Sequence, residues 1–90
     1  MIPTSKNYQL ETEDRLLVLR KTQEREIETL RQLHALHVEV RESMPFITSR
    51  QQMHLKRQKL ARIERSIHVH TKRLNDCRRK IVDQSRRIAA

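Results

Sequence analysis

A chain of 90 residues with 20 Lys/Arg against 11 Asp/Glu, a formal net charge of +9, has room for one small unit with a thin core. Glycine is absent and aromatics make up 2% of residues. That argues against barrels, sandwiches and doubly wound sheets, whose turns draw on glycine for positive φ. Long helices with few turns fit such a composition, and the expected fold class is all-α.

Residues 1–11 read as a polar N-terminal arm containing Pro3, Thr4 and Ser5. Thr12, followed by Glu13 and Asp14, predicts a helix start, with a hydroxyl to cap the first N–H groups and acids at the positive end of the helix dipole. Nothing from Leu16 onward breaks a helix until Pro45, which has no N–H and disfavours helical backbone at Met44. The first helix is therefore predicted over 12–44. Its register places Leu16, Leu19, Gln23, Glu26, Leu30, Leu33, His37, Val40, Met44 and Ile47 at heptad positions a and d, and seven of these ten are apolar. Ile27 partly covers the gap at Gln23 and Glu26. Leu17, Val18, Leu36 and Val38 lie off the seam, and apolar residues beyond one stripe point to more than one neighbour.

A Pro-containing joint follows at 45–49. Thr48 with Gln51, and Ser49 with Gln52, both have capping-box spacing for a second helix, predicted over 50–88. In that helix Met53, Leu60, Ile67, Leu74, Ile81 and Ile88 fall at a, and Lys56, Ile63, His70, Cys77 and Gln84 at d. Alternating steps of three and four, with large apolar residues throughout a, are the mark of a coiled-coil seam. The polar residues at d weaken it, and His70 and Cys77 there suit register-specifying roles. Two helices of similar length on a short link predict an antiparallel helical hairpin, with one long helix kinked at Pro45 as the alternative. So few seam side chains suggest a core completed by partner helices, and Leu30, Leu33, Leu60, Ile63, Ile67, Leu74, Ile81 and Ile88 are the candidate partner-binding seam.

Charge is unevenly divided. Residues 1–45 hold 7 Lys/Arg and 8 Asp/Glu, whereas residues 46–90 hold 13 Lys/Arg and 3 Asp/Glu. Arg65, Lys72, Arg79 and Arg86 fill position f of the second helix, and Lys59, Arg73, Lys80 and Arg87 fill g. Successive basic doublets thus recur every ~10.5 Å on one side of the helix. In an antiparallel pair g faces g and e faces e, yet neither row of the first helix is acidic from Arg15 onward. The candidate basic face, Arg65, Lys72, Arg73, Arg79, Lys80, Arg86 and Arg87, is therefore expected to meet an acidic partner surface or a phosphate backbone, if it is more than a solvated face.

Catalytic and metal signals are thin. His34 and His37 are three apart and His68 and His70 two apart, with no Cys or carboxylate on the same helix at ligand spacing, so no metal or cofactor is expected. A glycine-rich phosphate cradle is impossible here, and no serine has a nucleophile-elbow context. The lone Cys77 forms no internal disulfide, no apolar run approaches ~18 residues, and the first residues lack an apolar h-region. A cytoplasmic or nuclear protein with no membrane insertion is expected. The leading functional expectation is a non-catalytic coiled-coil structural or adaptor subunit of a multiprotein assembly, docking helical subunits with acidic faces. Hetero-assembly is favoured over homo-oligomerisation, because a second copy would set like charges together. The alternative is a nucleic-acid-associated subunit, in a ribonucleoprotein or on chromatin, whose basic face lies on phosphates.

Overall fold

A computed structural model describes the backbone of residues 5–89 and the side chains of residues 11–89. Helix α1 spans Ser5–Ser43, a 3₁₀ turn follows at Met44–Phe46, and helix α2 spans Arg50–Ala89. No strand occurs among the described residues. The two helices pack side by side and antiparallel, so the chain forms the expected helical hairpin, not one kinked rod. The hairpin measures 73 × 17 × 16 Å.

Helix α1 starts earlier than the sequence suggests. Lys6 to Glu11 contain no helix breaker, and Leu, Gln, Lys and Glu are good helix formers, so the helix runs back to Ser5. Of the predicted polar arm, residues 1–4 lie outside the described residues. Thr12 is consequently not a cap. It sits at d, one heptad step before Leu19, and is only 5% exposed.

Pro45 ends α1 as expected. Its fixed φ suits the 3₁₀ turn it occupies, and Ile47 closes that turn by donating its N–H to the Met44 carbonyl at 3.1 Å. Ile47 itself is extended, and no residue of the joint takes a positive φ. This explains how the chain reverses without glycine. Of the two candidate caps, the hydroxyl of Ser49 is the one engaged: it accepts the Gln52 N–H at 3.3 Å, and α2 begins at Arg50.

The seam follows the heptads closely. From Met53 to Ile88 every a and d residue of α2 is buried or half-buried, and the same holds for α1 from Thr12 to Val40 and for Met44 and Ile47 in the joint. Leu16, Val40, Ile63, Leu74 and Cys77 are the buried apolar residues. Each such side chain contributes about 1.5–3 kcal/mol through removal from water. The seam is only partly closed, however. Leu30, Leu33, Leu60, Ile67, Ile81 and Ile88 stay half-exposed, because two helices cannot surround them.

Candidate partner interface

Two cross-helix contacts set the register. Cys77 Sγ donates to the Leu19 carbonyl at 3.0 Å, and seven residues on in α1 and seven back in α2, His70 Nδ1 meets Glu26 Oε2. A carboxylate only accepts, so the imidazole N–H is the donor. Carried along the hairpin, this register sets d against d: Thr12 with Gln84, Leu19 with Cys77, Glu26 with His70, Leu33 with Ile63, and Val40 with the stem of Lys56. Four of these five layers pair like with like, and in the fifth Val40 meets a lysine. The polar residues His70 and Gln84 in the d row of α2 are thus matched by α1, and Lys56 is not. A slip of one heptad would put Glu26 against Ile63 or Cys77, leaving a carboxylate against apolar side chains.

The eight predicted seam residues all lie between the two helices. Ile63 and Leu74 are buried there and the other six half-buried, so the hairpin itself takes up most of this surface. What remains for a partner lies on the flanks. Leu17, Val18, Val38, Leu55, Val69 and Val82 are large apolar side chains left exposed, and Phe46 at the tip is 85% exposed.

All seven residues of the predicted basic face are exposed, as are Lys59 and Arg62 beside them. The ion pairs among the described residues lie elsewhere: Arg31 with Glu28 at 3.0 Å within α1, His37 Nε2 with Glu64 Oε1 at 3.2 Å, and His70 with Glu26. None involves a Lys or Arg of α2. Arg86 and Arg87 do have a local function, since they lie in the last turn of α2 and complement its negative end. The doublets Lys72–Arg73 and Arg79–Lys80 have no such role. The g residues of α1 opposite them are Arg15 and Thr22, neither able to answer a cation. Thr22 turns its hydroxyl back to the Val18 carbonyl at 3.0 Å, and Ser43 does the same to Val40 at 2.7 Å.

The histidines do not converge. His37 and His70 are held by carboxylates of the opposite helix, while His34 and His68 are exposed. Among the described residues no group of three or more His, Cys, Asp or Glu is placed to hold a metal ion, and no helix is long and apolar enough to cross a membrane. Single-helix spacing could not reveal the Glu26–His70 and His37–Glu64 pairs, which join residues 44 and 27 positions apart. The only signal for the first was that both residues are polar and both fall at d.

No family model matches the chain, and neither a curated protein nor a solved structure matches it.

Proposed function

We propose that this chain is a non-catalytic structural or adaptor subunit of a larger multiprotein assembly, which docks acidic helices of partner subunits against the basic side of α2. One observation carries the reading: a row of exposed Lys and Arg along α2, repeated each heptad, with no ion pair to any carboxylate among the described residues. Asp76 and Asp83 lie three or four residues from the doublets and answer them only in part, so the row keeps a net positive charge and attracts a surface of opposite sign. The half-covered seam and the exposed apolar side chains on both flanks support completion by further helices. A cytoplasmic or nuclear setting accords with the single reduced Cys77.

The spacing of the doublets also favours a second reading, in which α2 lies along a nucleic-acid backbone and displaces its counterions. Helix α2 has no aromatic residue for stacking on bases, which ranks this reading second. Affinity capture with the full chain, with and without nuclease, separates the two. Reversal of Lys72–Arg73, Arg79–Lys80 and Arg86–Arg87 to Glu, one doublet at a time, is the accompanying series. A nuclease-resistant protein partner, lost mainly on reversal of one or two doublets, is the expected result. Nuclease-sensitive capture with small, equal losses would transfer the function to nucleic acid. Unchanged capture across the series would mean that the basic row binds nothing.

A further inference from the structure

The two flanks of the hairpin differ in the clefts they carry. On the flank where the g positions of both helices meet, three clefts follow one another along the rod. Nearest the tip, Leu55 lies beside Lys56 and Lys59 in a cleft of about 410 Å³. In the middle, Val69 lies among Arg62, Arg65 and Arg73 in one of about 330 Å³, with Ser66 and His70 in its wall. Towards the open end, Val18 and Leu19 lie between Arg15 and Lys80 in one of about 390 Å³, with Asp14 at its edge. Each cleft therefore pairs an exposed apolar side chain with at least two cations. The opposite flank also exposes apolar residues, Leu17, Val38 and Val82, but the cleft at Val38 is bounded by Glu42 as well as Arg41, and the cleft at the tip beside Arg50 and Arg57 has no exposed apolar side chain in its wall.

The spacing of the three clefts matches one ligand geometry. Leu55 and Val69 are both at c and two heptads apart, roughly 21 Å along the axis. The register set by Leu19 and Cys77 puts Val18 level with the residue just beyond Cys77, roughly 13 Å further on. A helix lying along this flank would present side chains at i, i+14 and about i+22 to the three clefts. At 3.6 residues per turn those positions share one face.

We propose that the g flank is the groove for a single acidic amphipathic helix of a partner chain, about 28 residues long. It inserts one large apolar side chain into each cleft, with carboxylates on either side of each. The inference rests on the proposed docking of acidic helices, and adds where the helix lies and how its sequence is spaced. Charge complementarity commits the occupant: the cleft rims contribute Arg15, Lys56, Lys59, Arg62, Arg65, Arg73 and Lys80, which outnumber Asp14 in the rims and Glu39, Asp76 and Asp83 along the c rows of the same flank.

Two synthetic 30-residue helical peptides of identical composition test it against the full-length chain. Both carry Glu-rich flanks. One has Leu at i, i+14 and i+22, and the other has the same leucines moved to the opposite face. The in-register peptide should bind about tenfold more tightly by fluorescence anisotropy, as expected for seating buried apolar groups. Val69→Asp should erase that advantage, whereas Val82→Asp on the other flank should preserve it, with circular dichroism confirming that both variants remain helical. Equal binding of the two peptides, weakened by the doublet reversals, would overturn the groove while leaving the docking of acidic helices in place. An advantage equally sensitive to Val82→Asp would also overturn the groove. Binding of neither peptide, or displacement of both by a 20-base-pair DNA duplex that binds more tightly, would overturn the groove together with the function on which it rests.

Discussion

Glu26 and His70 occupy the same heptad position on opposite helices, and the imidazole donates to the carboxylate across an otherwise largely apolar seam. Both side chains are mostly covered, with 15% and 24% of their surfaces exposed. Each helix thus carries a polar residue that is tolerated in one alignment only. His70→Leu removes the donor and leaves Glu26 unanswered, at an expected cost of about 1–3 kcal/mol. The double variant Glu26→Leu/His70→Leu should recover that loss and populate shifted registers. Urea unfolding followed by circular dichroism gives the coupling energy, and disulfide trapping between engineered cysteines reports the register. Zero coupling would mean that the pair plays no part in alignment.

The seam should respond to substitution in order of burial. Leu74→Ala deletes a buried side chain and should destabilise by about 2–5 kcal/mol. Ile67→Asp and Ile81→Asp put a carboxylate in the a row and should abolish folding or docking. Ile27→Asp, at e on the rim, should be milder. Equal thermal stability of all three Asp variants would contradict the register.

The start of α2 separates two nearby hydroxyls. Ser49 caps the helix through the Gln52 N–H, so Ser49→Ala should cost about 1 kcal/mol. Thr48→Ala should change unfolding very little. The reverse order would place the cap one residue earlier.

Cys77 is buried, and its thiol is engaged with the Leu19 carbonyl. Alkylation by iodoacetamide should therefore be slow in the native chain and accelerate with urea in step with the loss of helicity. Fast alkylation at full helicity would show that the two helices part without melting.

How the fold could be read from the residues differs from one feature to another. The a and d rows were legible because a repeat of three and four steps leaves a face that must be covered, whatever covers it. The start of α1 was not, because a Thr followed by two acids fits a cap and also fits a small seam residue with exposed neighbours. Thr12 is the second. The basic face was legible as a charge excess that the first helix does not match. The cleft at the open end was not, since it depends on how Val18 of one helix aligns with Lys80 of the other. That alignment follows from the joint and the Glu26–His70 pair, both of which act between distant parts of the chain.

A rod 73 Å long and 16–17 Å across has no centre. Each seam layer touches the layers before and after it and little else, as in a short linear array. Opening then proceeds by fraying. It starts at the open end, where α1 and α2 are joined by no covalent link, and moves toward the joint, where Pro45 keeps the helices close. Amide exchange should be graded along the axis instead of uniform, slowest in the layers nearer the joint, around Leu60 and Ile63, and fastest around Ile81 to Ile88. Trimming residues from both open ends should shorten the molecule one layer at a time, lowering its melting point by increments while the remaining layers keep their alignment.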